Sequence, residues 1–373
     1  MSGRKKYRTK KSYLGQNIRM ILCVLLTLLA AAGLLLNALL DQEIGRMIRA
    51  DIDFANVAVN SSVRENSPDT RGYRTIALVG VDSRDESEAG GNSDTMMILS
   101  IHKDTGEVRI ASLYRDTYLR IGQGDYQKAN AAYNRGGPEL FLSMLNTNLD
   151  LNITDFVTVD FSVMIDMIDI LGGIDMTLTA DEVVMMNDYC QGTSEITGKP
   201  YEAIEPEVEG TYHLSGIQAV SYMRIRYGYG LEFRRTLRQR AVVLKMVEKM
   251  KSASLPTLYR LLDTLLPGIY TNLTKEEILP LALAVKKYTI SDTTGFPFDH
   301  VMGEPAIAAT GIDCVLPVTL ETNAAKLHNF LYPDLPYTPS EELITYSDYI
   351  TEITGYGEAD IPESSADGGE MPS

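Results

Sequence analysis

The chain has 373 residues, enough for one large or two ordinary domains with a well-buried core. Its 34 basic and 50 acidic residues give a formal net charge of −16, which excludes general nucleic-acid binding and confines any phosphate recognition to a local site. Three cysteines and four scattered histidines offer no zinc spacing and little support for a Ser-His or Cys-His triad.

Residues 1–19 hold seven basic residues (Arg4, Lys5, Lys6, Arg8, Lys10, Lys11 and Arg19) and no acidic one. An uncharged apolar run over 20–40 follows, about the ~20 residues that one helix needs to cross a bilayer. The flanking positive charge predicts a cytoplasmic segment at 1–19, a transmembrane helix at 20–40 and an extracellular remainder. A cleaved signal peptide is the rival, since residues 30–32 are alanines, but leucines continue after them and an uncleaved anchor is the expectation. The remainder then carries 27 basic against 50 acidic residues.

Residues 41–72 are polar and mixed and read as a stalk. TIALVGV, over 75–81, is a continuous apolar run suited to a strand buried on both faces. It ends in Asp82-Ser83-Arg84. A loop rich in Gly, Ser and acids leads to Asp94 and a second strand, TMMILSIH. Asp104-Thr105-Gly106 turns the chain into a third, EVRIASL, which runs into Tyr114-Arg115-Asp116. If the three form an antiparallel meander, then Asp82, Asp94, Arg115 and Asp116 gather at one sheet edge. Two converging carboxylates there suit Mg2+, a hard ion that keeps room for phosphate oxygens. The plainer alternative is a set of solvated loop acids and a surface arginine.

Lys128-Ala129-Asn130 and Gly136-Gly137-Pro138 follow, with Pro138 opening a helix ELFLSMLNTNL. Then come a strand DFVTVD, a helix SVMIDMIDIL stopped at Gly172-Gly173, and a strand IDMTL. Such alternation predicts an α/β fold with helices covering the sheet. Residues 181–210 carry few signals and read as an excursion that could form a lid or rim. Ser215 and Gln218 make a capping box for a helix leading to Arg224.

Residues 222–240, YMRIRYGYGLEFRRTLRQR, hold six arginines. From Glu232 the stretch reads as a helix that places Arg235 and Gln239 on the same face as Val242, Val243, Met246 and Met250. Arginine on an inward stripe is costly unless an anion meets it. Arg224 and Arg226, two apart in an extended segment, would point the same way. The anion is either the protein's own carboxylates or a multiply charged phosphate ligand. YRLLDTLLP and KEEILPLALAVKKY are two further helices, and the chain through LHNFLYP is expected to pack on the same sheet. The acidic tail from Gly355 predicts disorder. Asn60, Asn152 and Asn272 open Asn-X-Ser/Thr triplets, and Cys190 and Cys314 could pair in a disulfide, although spacing does not show that they meet.

Seven pieces in this order, IALVGVDSR, SDTMMILSIH, SLYRDTY, KANAAYNRGGPEL, VTVDF, YMRIR and RRTLRQ, resemble the LytR-CpsA-Psr family over about residues 74–245. Residues 271–288 and 327–333 are similar to its later part. The resemblance implies a three-layer α/β/α sandwich with a mixed central sheet, a catalytic domain over 73–335 and a C-terminal segment over 336–373. It also implies transfer of a glycopolymer, of teichoic acid or capsular polysaccharide type, from undecaprenyl diphosphate to peptidoglycan. Mg2+ ligands then fall on Asp82 and Asp94, and diphosphate contacts on Arg84, Arg115, Arg224, Arg226, Arg235 and Arg238, with Lys128 and Gln239 beside them. Four positions depart from the family's pattern: Asn92 and Arg234 replace an arginine and a glycine, Tyr114 a proline and Glu232 an aspartate.

The chemistry needs these residue types, because transfer moves charge onto the leaving lipid phosphate and fixed cations stabilise that change. Asp116 or Asp82 is the nearest carboxylate to take the acceptor's proton. Met164, Met167, Met246 and Met250 could adapt to a polyprenyl chain, with ordinary core methionines the plainer reading. A polyprenyl-diphosphate hydrolase and a non-catalytic sensor of lipid-linked precursors are the rival functions. A protein-kinase reading of Tyr114-Arg115-Asp116 fails, because the asparagine expected five residues on is absent.

Overall fold

The structure is a computed structural model that describes residues 48–65, 67–81, 93–226 and 231–361. The apolar run at 20–40, Asp82, Arg84, Asn92 and the tail from 362 lie outside the described residues, and so does the side chain of Glu232.

In chain order the strands are β1 (Ile48–Arg49), β2 (Tyr73–Val81), β3 (Ser93–His102), β4 (Glu107–Leu113), β5 (Tyr118–Ile121), β6 (Asp125–Lys128) and β7 (Asp155–Asp160). There follow β8 (Ile174–Leu178), β9 (Gly210–Leu214), β10 (Tyr270–Thr271), β11 (Thr289–Phe296), β12 (His300–Val301) and β13 (Leu316–Pro317). Seven of them build one mixed sheet in the order β1-β10-β7-β2-β3-β4-β11. The meander is present: β3 runs antiparallel to both β2 and β4. β7 joins β2 in parallel after the helix Ala131–Asn148, and β11 joins β4 in parallel.

Strand alternation divides the core between the two faces of the sheet. Ala77 and Val79 of β2 pack with Phe141 and Leu145 of the helix Ala131–Asn148 and with Leu327 of the helix Leu320–Leu331. Ile76 of β2, Met97 and Ile110 face the other way, toward Val243 of the helix Leu231–Ser252 and Leu281 of the helix Lys275–Leu283. Gly136 and Gly137 leave helical geometry inside the first of these helices, so that its main body starts at Pro138, where the sequence predicts it.

A second core lies beside the sheet, where the hairpin β8–β9 packs against the helices Phe161–Ile170, Ala180–Thr197 and Gly216–Arg224. Gly216 permits this packing, because a Cβ there would sit 2.2 Å from the Ile165 carbonyl oxygen. Residues 181–210 are therefore not an excursion. They hold all but the first residue of an 18-residue helix whose start is fixed by a reciprocal Thr179–Glu182 capping box and whose Val183, Met186 and Cys190 are buried.

Two further expectations are corrected. The compact unit begins at Ile48, so the predicted stalk is largely part of the fold: β1 pairs with β10, and Ala50, Val57 and Asn60 are buried. At the other end the helix Glu341–Thr354 buries Leu343 and Ile350 against the body. Cys190 and Cys314 are free thiols in separate cores, and burial raises the pKa of each. The amides of Asn60 and Asn272 are both engaged, Asn60 with Asp150 and Asn272 with the backbone of Phe156 and Thr154.

Candidate active site

The meander brings its turn residues to one edge, and a local irregularity aims the central one. Gly80 of β2 pairs with Thr95 of β3, but the next residue, Val81, pairs with Ser93. Asp94 is thus the extra residue of a β-bulge. Strict alternation would put Asp94 on the face of Met96 and Ile98, under the helix Ala131–Asn148. The bulge brings it instead to the opposite face, among Thr95, Met97 and the arginine helix Leu231–Ser252. Gly80 makes the bulge possible, since a Cβ there would lie 2.9 Å from that of Thr95.

Asp94 is the centre of the site. Arg115 NH1 donates to its Oδ1 at 2.7 Å and Arg226 NH2 to its Oδ2 at 2.6 Å. Its carbonyl oxygen accepts from Arg235 NH2 at 3.1 Å and Gln239 Nε2 at 3.4 Å. Burial pushes the Asp94 carboxyl up, but the guanidiniums of Arg235, Arg226 and Arg115 together outweigh it and hold its pKa below the ordinary carboxylate value. Asp116 completes the edge, with Arg115 Nε at 3.5 Å and Lys128 Nζ at 3.4 Å. Tyr114, where a proline is expected, donates its backbone N–H to the Phe296 carbonyl at 2.9 Å, a bond no proline could make. Its ring meets Phe233 edge-on at 4.5 Å, and Phe233 stacks on His300 at 4.6 Å.

Arg224 and Arg226 do not form an extended pair. The helix opened by Ser215 and Gln218 runs through Arg224, so the two side chains diverge. Arg226 reaches Asp94, whereas Arg224 NH1 donates to Thr193 Oγ1 at 2.8 Å with its guanidinium 4.8 Å from the Phe161 ring centre. Arg238 turns away altogether. Three residues beyond Arg235 on a helix of 3.6 residues per turn, it faces the helix Ala180–Thr197. There it pairs with Glu182 at 3.0 Å, bonds the Ile225 carbonyl and lies over the Tyr222 ring. It is a structural ion pair, not a neighbour of Asp94. Thr193, Glu182 and Phe161 were not singled out from sequence. The Thr-x-x-Glu box at Thr179 was the signal for the helix that carries two of them.

Beneath this edge a cavity of about 230 Å³ lies between the sheet and the helices Phe161–Ile170, Gly216–Arg224 and Leu231–Ser252. Its polar end is formed by Asp94, Asp160, Arg224, Arg226, Arg235 and Gln239. Its walls are apolar and include Met164, Met167, Met246 and Met250. Arg235 lines it although only 2% exposed, which makes this cation a wall of the cavity rather than a surface group. Asp160 spends one oxygen capping the helix Phe161–Ile170, accepting from the Val163 N–H at 2.8 Å. Among the described residues, Arg115, Arg224, Arg226, Arg235 and Lys128 outnumber Asp94, Asp116 and Asp160 around this end. No group of three or more His, Cys, Asp or Glu side chains gathers for a metal among the described residues. Asp94, whose two oxygens accept from Arg115 and Arg226, and Asp160 bring carboxylates to the cavity, and the other expected Mg2+ ligand, Asp82, lies outside the described residues.

The family description LytR_cpsA_psr matches residues 47–302 of this chain. The chain is 27% identical over 270 residues to the biofilm regulatory protein A of Streptococcus mutans, a match covering 68% of this chain and 62%, under two thirds, of that one. It is 28% identical over 243 residues to the polyisoprenyl-teichoic acid–peptidoglycan teichoic acid transferase TagU of Bacillus cereus, covering 64% of this chain and 71% of that one. Its fold is similar to that of a Streptococcus agalactiae protein, with a TM-score of 0.58 and 23% identity over 77% of this chain and 96% of that one. It is also similar to that of B. subtilis TagV, with a TM-score of 0.54 and 23% identity over 72% and 98% of the two chains. With its mixed sheet, its flanking helices and a match over most of its length, the chain belongs to the LytR_cpsA_psr family.

Proposed function

We propose that the protein is a Mg2+-dependent phosphotransferase that moves a glycopolymer from undecaprenyl diphosphate to peptidoglycan at the outer face of a membrane. The observation that carries this reading is a single cavity with an excess of arginine at one end and methionine-lined apolar walls at the other. A lipid diphosphate has the same two-ended character. The name of the TagU relative, with its polyisoprenyl-linked donor and peptidoglycan acceptor, supports the same substrate class. The basic segment and apolar run at 1–40 would anchor the protein by a single pass, with its folded unit outside.

In this reaction an acceptor hydroxyl oxygen bonds to the phosphorus that carries the glycan. The bridging P–O bond breaks, and its electron pair leaves on the prenyl monophosphate. The hydroxyl proton passes to a carboxylate, for which Asp116 and Asp82 are the candidates. Arg115, Arg226 and Arg235, prepositioned around Asp94, stabilise the charge that builds on the departing phosphate. Asp94 and Asp82 would hold Mg2+, which supplies Lewis-acid stabilisation of phosphate oxygens when bound. Arg84 would add a further diphosphate contact.

The test uses the full chain in detergent with a short-chain prenyl diphosphate, with and without Mg2+, following binding and phosphate release. Release that depends on Mg2+ in the wild type and is lost in Asp94→Asn and Arg226→Ala is the expected result. Release to water without any transfer to peptidoglycan fragments would make the protein a hydrolase. Tight binding with neither release nor transfer would make it a sensor, and absence of binding would overturn the carrier-lipid reading.

A further inference from the structure

A second space touches the same arginine. An open cleft of about 520 Å³ is lined by Gly192, Glu195 and Ile196 of the helix Ala180–Thr197 and by Arg224. This lies within the ~300–1,000 Å³ usual for ligand sites. Among the described residues Arg224 lines both this cleft and the apolar cavity, and its guanidinium meets Thr193 and Phe161. We propose that the cleft is a saccharide subsite that receives the sugar acceptor of the transfer reaction; the assignment rests on the function proposed above.

Two features argue for this. The first is the direction of attack. Phosphoryl transfer places the attacking and leaving oxygens roughly in line. The leaving prenyl phosphate belongs to the apolar cavity, so the attacking hydroxyl enters from another side of the phosphate. Arg224 lines both the polar end of that cavity and the cleft, which makes the cleft a second approach to the same guanidinium. The second feature is the floor. Gly192 sits inside an 18-residue helix, where glycine is less favourable than alanine. A Cβ built on it meets nothing within 4 Å. No packing contact calls for the glycine; its effect is to leave helix backbone open to close approach by a ligand. Around it the groups suit hydroxyls and amides. The exposed Glu195 carboxylate, steadied by the Gln191 amide at 3.2 Å, accepts hydrogen bonds, while Arg224 donates.

The experiment uses the full chain in detergent and three probes. They are a soluble N-acetylhexosamine tetrasaccharide, a sugar-free short prenyl diphosphate, and the same diphosphate bearing one sugar. Gly192→Phe projects a ring into the cleft and improves the helix, so the variant should fold, as its melting temperature will verify. Tetrasaccharide binding should weaken by about tenfold or more in Gly192→Phe and persist in Gly192→Ala, with both diphosphates bound within about twofold of wild type. Unchanged tetrasaccharide binding in Gly192→Phe would overturn the subsite. Selective loss of the sugar-bearing diphosphate would assign the cleft to the donor and overturn the acceptor assignment. If the wild type binds the tetrasaccharide but neither diphosphate, the carrier-lipid reading fails while the saccharide site stands.

Discussion

Asp150 and Asp94 each have both carboxylate oxygens engaged, and their partners are opposite in kind. Asp150, 1% exposed, accepts from Asn60 Nδ2 at 2.5 Å and Ser340 Oγ at 2.6 Å on one oxygen. Its other oxygen accepts from Tyr337 OH at 2.9 Å and the Ser340 N–H at 2.7 Å. These donors are neutral, and they complete the carboxylate without inviting another ion. Asp94 is met by guanidiniums from three separate elements, more positive charge than one carboxylate can balance. A buried carboxylate closed by neutral donors is structure. One crowded by surplus cations keeps a positive field available to a further anion.

Four substitutions or conditions can break or sharpen this contrast. Asp150→Ala leaves four donors facing an empty space and should cost on the order of 3–5 kcal/mol in a urea melt. Prenyl diphosphate binding by the protein that remains folded should be unchanged. If Asp150→Ala abolished binding in folded protein, the two regions would not be separate.

Acid should act next. His328 stacks on Tyr337 at 3.7 Å and donates to the Leu149 carbonyl, and burial lowers its pKa from 6.5 to about 4. The native protein therefore binds fewer protons than the unfolded chain between these values. Its contribution is fully present above pH 6.5 and is lost as pH falls toward 4, a change of about 3 kcal/mol at most. His328→Gln should flatten that part of the stability profile. The Asp94 carboxyl is held below its ordinary value, so its own contribution is lost only at lower pH still.

Gly80→Ala should cost about 1–3 kcal/mol through the Thr95 contact, and should disturb the bulge that aims Asp94. Diphosphate binding should weaken more than the loss of stability accounts for, as titration on folded protein will show. Asp94→Asn should cost stability too, because it removes the negative charge that the guanidiniums of Arg115, Arg226 and Arg235 share, although the amide oxygen still accepts from one of them. By freeing Arg115 and Arg226 it should tighten Mg2+-free diphosphate binding by about tenfold, even as Mg2+-dependent release is lost. Weaker binding in the absence of Mg2+ would mean that Asp94 organises the arginines instead of competing for them.

The parts of this architecture that local rules govern were legible in the sequence. Turn residues and apolar runs gave the meander, and the meander alone placed Asp94, Arg115 and Asp116 at one edge. Periodicity placed Arg235 and Gln239 on the inward face of their helix, and both line the cavity. The resemblance implies a phosphate contact at Arg238, whereas its side chain pairs with Glu182. Arg224 and Arg226 do not point the same way, because the helix from Ser215 runs through Arg224 and leaves no extended segment between them. The bulge at Asp94 depends on a Gly80–Thr95 contact across two strands, and the Asp150 cluster on partners 90 and 190 residues distant. Neither leaves a local trace.

The Asp150 cluster also bears on the order in which the chain is made. Asn60 donates to Ser340 Oγ as well as to Asp150, joining positions 280 residues apart. A chain growing from its N-terminus holds Asp150 and Asn60 early, but the serine that supplies two of the four donors emerges near the end. Until then the carboxylate must stay wetted by solvent, and the helix end beside it cannot close. Synthesis stopped short of residue 340 would therefore yield a body with most of its sheet and an unburied charge at its seam, and quality-control proteases would meet it open.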